Sequence, residues 1–110
     1  MRSDRSEIAL LTEIRDCIRL IESYIQGMEL ADFDADTLRR DATAFRLLMI
    51  GEAASHLPES IKTRLPQVDW RGMVSLRHRL AHDYPSAETR ILWTVATSDI
   101  PVLTQALGSL

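Results

Sequence analysis

Four isoleucines and a methionine recur at alternating spacings of four and three: Ile14, Ile18, Ile21, Ile25 and Met28. Such spacing puts all five side chains on one face of an α-helix. The pattern predicts a long amphipathic helix over roughly Ser6 to Met28. β-Branched isoleucine weakly disfavours helix, but the periodicity outweighs that propensity. Gly27 suits the helix terminus.

The next stretch, "ELADFDADT", reads as an acidic connection. Asp36 or Thr37 can accept hydrogen bonds from the free N–H groups of a second helix, Thr37 to about Ser55. Its expected core stripe is Leu38, Ala42, Phe45, Met49 and Ala53, and Pro58 stops it. "PESIKTRL" predicts a short helix with proline in its first turn, ended by Pro66. Asp69 can cap a fourth helix from Trp70 towards His82. Pro85 cannot continue that helix, and it disfavours helical geometry at Tyr84 before it. Ser86 can cap a fifth helix reaching about Ala106, with Ile91, Leu92, Val95, Ile100, Leu103 and Leu107 on its apolar side. Pro101 should kink or split this helix near Asp99. No strand pattern, repeat or low-complexity tract interrupts the series. The expected fold is all-α, an antiparallel four-helix-type bundle with an additional short helix.

Composition narrows the picture. A chain of 110 residues, 45% hydrophobic and 26% charged, suits a single domain over residues 1–110 with a buried core. One cysteine, Cys17, excludes an internal disulfide and a cysteine-based zinc site. Its isoleucine neighbours suggest a buried thiol. No apolar run approaches the ~20 residues of a membrane span, and "MRSDRSEIAL" does not read as a signal peptide. A cytoplasmic protein without a membrane partner is expected. The net charge of −3 argues against a general nucleic-acid coat protein and leaves room for a local basic cleft.

Against this background "LRHRLAHDYPS", Leu76 to Ser86, concentrates two arginines, two histidines and a tyrosine. Arg77, His82 and Tyr84 form the pattern R-x4-H-x-Y, with His78 directly after the arginine. A guanidinium presents a fork of donors matched to phosphate oxygens. A histidine can take or give a proton near neutral pH. Together they suit RNA cleavage without a metal: a base removes the 2′-hydroxyl proton, the oxygen attacks phosphorus, and a cation stabilises the developing charge. Residues five apart on a helix lie ~140° apart, so Arg77 and His82 do not share a face, whereas His78 and His82 do. Either the helix ends near His82 and the chain swings the imidazole round, or a second subunit completes the site. Tyr84, just beyond the helix end, would then sit on the lip of the cleft.

Glu52 and His56, and likewise His78 and His82, have metal-ligand spacing at i,i+4. A di-metal bundle would need Glu-x-x-His, which the chain lacks, so neither metal nor cofactor is expected. A Glu52 facing the interior would need a partner, for which Arg46 or a group from the motif helix could serve. Gly51, Ala53 and Ala54 make a small-residue patch suited to close helix approach. Trp70 and Trp93 suit core or interface anchors.

At these residues the sequence resembles the HEPN domains of the HepT type. The motif carries the resemblance together with "IESYIQG", "DATAFRLLMIGEAA", "WRGMVSLRHRLAHDY" and "ILWTVATSDIPVL", in the family's order across nearly the whole chain. The resemblance implies a helical homodimer whose two motifs face each other in one cleft. It implies a metal-independent endoribonuclease toxin acting on transfer or messenger RNA, with Arg77 and His82 catalytic and His78 supporting. It also implies an antitoxin partner, a minimal nucleotidyltransferase that attaches AMP to Tyr84. An AMP ester there would set a bulky anion where RNA phosphate must bind. The alternative is a non-catalytic module that binds a nucleotide or the partner through the same cleft.

Overall fold

The structure, a computed structural model, describes residues 6–84 and 87–110. Helix α1, Glu7–Ile25, follows the isoleucine stripe and buries Leu10, Leu11, Ile14, Cys17, Ile18 and Ile21. The Ser6 hydroxyl accepts the Ala9 N–H at 3.1 Å and so satisfies one free donor of the first turn. Gly27 reverses the chain after α1 with φ of 77°, a conformation that costs glycine little.

The acidic connection is itself helical: α2 spans Leu30–Ala35. A capping box opens it, with the Glu29 and Asp32 side chains each accepting the other end's backbone N–H. Phe33, fully buried, pins it to the core and packs on Trp93 at 5.2 Å between ring centroids. Acidic turn-formers hide this helix in the sequence, because one buried ring is too little to create a period.

Helix α3, Thr37–Ser55, begins with the Asp36 carboxylate accepting the Arg39 N–H at 3.0 Å. It lies between α1 and α5 (Trp70–Asp83) and packs against both. The run is antiparallel on each side: Arg39 donates to the Tyr24 carbonyl, while Gly51 meets Arg77 and Asp41 meets Tyr84. A helix with two packed sides buries a broad band, here Thr43, Ala44, Leu47, Ile50, Gly51, Ala53 and Ala54. The expected stripe is therefore only partly correct. Leu38 and Phe45 point outward, with 80% and 52% of their surface exposed.

The short helix α4, Glu59–Arg64, follows Pro58 and buries Ile61. Buried Trp70 then donates its indole N–H to the Leu65 carbonyl at 3.1 Å, tying the turn to the start of α5. Asp69 caps α5, accepting the Gly72 N–H at 2.9 Å.

Helix α5 ends close to His82, as expected. It continues to Asp83, and Tyr84 retains helical dihedrals (φ −55°, ψ −42°). The expected turning-out of Tyr84 is corrected: its ring packs on the core and its hydroxyl is held by Asp41, which offsets the pre-proline bias. The expected stop at Pro85 and cap at Ser86 lie outside the described residues. After them run α6, Thr89–Thr94, a π-helical turn, Val95–Asp99, and α7, Ile100–Leu107. The break expected near Asp99 thus takes the form of a widened turn within a continuous helix. Pro101 has no N–H to donate, and a π turn ahead of it accommodates the missing bond. Arg15 reaches across from α1 to donate to the Leu107 carbonyl at 3.2 Å. The described residues contain no strand, and no described helix is long and apolar enough to cross a membrane.

Candidate functional site

The motif on α5 divides between two faces. Arg77 and Tyr84 are seven residues apart, nearly two full turns, so they share a face about 10 Å apart along the axis. Both engage α3. His78 and His82 form the second face. Both are exposed, with ring centroids 4.4 Å apart and planes tilted by 50°. Because α5 stays helical through His82, the imidazole is not swung round towards Arg77. The helix end near His82 therefore does not by itself bring the imidazole to Arg77 within one chain.

Arg77 is fixed from several directions. Its Nη2 lies 2.6 Å from Glu52 Oε1. Beneath it, Gly51 leaves no room for a side chain: a Cβ there would fall 2.4 Å from the Arg77 Cβ and 2.7 Å from the Met73 carbonyl oxygen. The small-residue patch thus serves close approach inside the chain, between α3 and α5. Arg77 Nε is buried with no hydrogen-bond partner.

Glu52 has a second neighbour, His56 Nε2, 3.1 Å from its other oxygen. The His56 hydrogen bond, then the Arg77 charge, hold the Glu52 carboxyl below its ordinary range against the opposing effect of burial. Glu52 therefore faces the motif helix, and His56 is exposed beside it. Among the described residues, no cluster of three or more histidine, cysteine, aspartate or glutamate side chains could hold a metal ion.

Tyr84 is half-buried rather than open on a lip, and its hydroxyl donates to the Asp41 carboxylate. Burial pushes that hydroxyl above its ordinary pKa, and Asp41 pushes it further the same way. Arg40 stands beside this pair: its Nε is 3.7 Å from Asp41 and its Nη1 donates to Thr89 Oγ1 at 3.3 Å. Arg40 and Asp41 were missed from sequence. The available signal was that Asp41 opens the same block, "DATAFRLLMIGEAA", that contains Glu52. Beside Tyr84, between α3 and α5, lies a groove of ≈ 210 Å³ lined by Asp41, Ala44, Phe45, Leu48, Leu80 and Tyr84.

This arrangement offers a guanidinium preset for an anion, a solvent-facing imidazole pair and a tyrosine on the arginine's own side. Residues 14–110 match the family described as "Ribonuclease HepT-like". The chain belongs to this HepT-like ribonuclease family, whose all-helical fold it shares. A protein of Thermococcus cleftensis named "Probable ribonuclease HepT" is 34% identical over 99 residues, 90% of each chain. A Methanocaldococcus jannaschii protein named as a candidate RNase is 32% identical, covering 84% of this chain and 77% of its own. Another, from Caldanaerobacter subterraneus, is 31% identical over 82% and 80%. No solved structure matches the chain.

Proposed function

We infer that the chain is a metal-independent endoribonuclease and the toxin of a toxin–antitoxin pair, working in the cytoplasm as a single-domain homodimer. The observation that carries this is the division of α5. Arg77 is held on one face by Glu52 and the exposed histidines lie off it, His82 ~140° round the axis, so a twofold-related copy of α5 can supply an imidazole to the opposite arginine. His82 takes the proton of the RNA 2′-hydroxyl, whose oxygen attacks the adjacent phosphorus. The 5′-oxygen leaves and is reprotonated, giving a cyclic phosphate and a free 5′-hydroxyl. Arg77 balances the charge gathering on the phosphoryl oxygens. His78, whose ring is tilted against that of His82, orients it. Arginine and imidazole together provide charge stabilisation and proton transfer, which is the support for a reaction that needs no metal.

Tyr84 is the site at which a partner nucleotidyltransferase attaches AMP from ATP. Its position on the Arg77 face supports this, since an anion added there lies within about two turns of the phosphate-binding group.

Purified protein is tested on transfer and messenger RNA with a chelator present. Cleavage should persist, and Arg77→Ala or His82→Ala should reduce it at least a hundred-fold, the scale for losing one transition-state group. If wild type and His82→Ala leave identical RNA patterns, the cleft is a nucleotide- or partner-binding module instead. Incubation with ATP and a nucleotidyltransferase encoded beside the chain should add AMP masses to wild type and none to Tyr84→Phe.

A further inference from the structure

We propose that the groove between α4 and α5 holds a backbone phosphate of the RNA strand away from the reacting one, with Lys62 and Arg71 as its cations. The proposal rests on the reading that the scissile phosphate lies at Arg77 and His82. It adds two positioning residues outside the motif and gives the substrate a minimum length.

The first observation is direction. Arg71, Ser75, His78 and His82 recur at spacings of four, three and four, and all are exposed. They form one stripe along α5, within an arc of ~60°. A strand with one phosphate at His82 can follow this stripe towards Arg71. The axial distance between those two residues is ~17 Å. That exceeds two nucleotide steps, even at twice the ~3.4 Å rise of a stacked strand.

The second is the groove into which the stripe runs. It measures ≈ 620 Å³. Lys62 and Thr63 line it from α4, and Arg71 and Ser75 line it from α5. Trp70 and Val74 complete its wall. Two cations and two hydroxyls make a donor set suited to phosphate oxygens. The cations stand on different helices, so an anion between them is met from two sides.

The third is that these cations are weakly committed on an acidic chain. The net charge is −3, and Lys62 is the only lysine. Arg19, Arg39, Arg40 and Arg77 each have a carboxylate partner. Arg71 forms no ion pair among the described residues. Lys62 lies 3.9 Å from Glu59, at the outer limit of an ion pair. The Glu59 side chain is 87% exposed, so it can turn into water when a phosphate arrives. The Lys62 side chain is 16% exposed and held by packing. A cation already held in place loses little freedom on binding.

The test uses the full chain and 2′-O-methyl RNA, whose blocked 2′-oxygen lets binding be measured without cleavage. The probes are a dinucleotide and a hexamer. Arg71→Gln and Lys62→Gln should each bind the hexamer about ten-fold more weakly, the scale of one charge-assisted hydrogen bond. Both should bind the dinucleotide as wild type does, because it is too short to reach the groove from His82. The slope of log affinity against log salt for the hexamer should be shallower by about 0.7 in the double variant, one phosphate contact of a single strand. Circular dichroism checks that each variant folds, and Lys62→Arg should retain hexamer affinity. Unchanged hexamer affinity, an unchanged salt slope or equal loss for both lengths overturns the phosphate site. So does a changed assembly state of Arg71→Gln in sedimentation at unchanged salt slope, since a second copy would then fill the groove.

In cleavage, Arg71→Gln should raise KM for RNA about ten-fold and retain kcat. A fall in kcat at unchanged KM overturns the positioning role. The two readings fail separately. Wild type that binds the hexamer and cleaves no RNA sinks the nuclease reading, while the groove is judged by strand length and salt slope. Wild type that cleaves, with variants that bind and cleave as it does, sinks the groove alone.

Discussion

Gly51 and Arg77 touch through the positions where their side chains begin. A Cβ on residue 51 would lie 2.4 Å from the Arg77 Cβ, closer than such atoms approach in folded proteins. The arginine of the motif is therefore seated by an absence on the neighbouring helix. Gly51→Ala would gain helix propensity of up to ~1 kcal/mol, but it must push α3 and α5 apart against the Met73 carbonyl as well. A net destabilisation of about 1–3 kcal/mol is expected in urea denaturation. Unchanged stability would show that the helices can separate at no cost.

Glu52 links His56 to Arg77, and its carboxyl is held below the ordinary range. A carboxylate with a lowered folded pKa stabilises the fold above its unfolded value of about 4.3 and loses that contribution as pH falls through the folded one. Glu52→Gln should thus lower stability at neutral pH by about 0.5 kcal/mol, since the pair is partly exposed and screened. The gap between wild type and variant should close in acid. Thermal melts of both proteins across that range check it, and a gap that persists in acid counts against the ion pair.

Tyr84 and Tyr24 are the only tyrosines, so their ionisation can be separated. Burial and Asp41 raise the Tyr84 pKa, and the phenol should stay neutral past the ordinary value of about 10. The raised value favours the folded state below the unfolded pKa, and that stability is lost as pH rises through the folded one. An absorbance titration of wild type should show a late phase that Tyr84→Phe lacks. The variant should lose about 0.5–1.5 kcal/mol for the hydroxyl's bond to Asp41. A single common phase would mean the hydroxyl is open to solvent.

Cys17 is buried in the α1 face, and burial raises its thiol pKa despite the opposing effect of Arg46. A thiol reagent needs the thiolate, so native protein should label slowly and denatured protein fast. The labelling rate through opening should rise in Gly51→Ala about tenfold for every 1.4 kcal/mol of lost stability. Rapid labelling of native wild type would show that α1 opens locally.

Where burial was one-sided, the sequence revealed the helices well. The isoleucine stripe located α1, and prolines with Asp36 and Asp69 located the starts of α3 to α5. The stripe on α3 was misread because a helix packed on two sides has no single apolar face, and Leu38 and Phe45 fell at its open edge. Helix α2 was missed because its anchor is one residue, Phe33. The site was legible as residue types: spacing alone separated Arg77 from His82 and paired His78 with His82. Its supports were less so. Glu52 was noticed with its partner narrowed to Arg46 or a group on the motif helix, and that group is Arg77; Asp41 and Arg40 depend on the approach of α3 and α5, which no local pattern records.

The two faces of α5 also differ in how far a substitution would be felt. Arg77 and Tyr84 are each matched by a residue on α3, so Glu52 and Asp41 constrain what can replace them, and such positions should alter together across a lineage. His78 and His82 face outward and are bound by no such internal match. A change at Arg77 or Tyr84 is therefore felt across the α3–α5 contact, whereas a change at His78 or His82 leaves the core packing as it is.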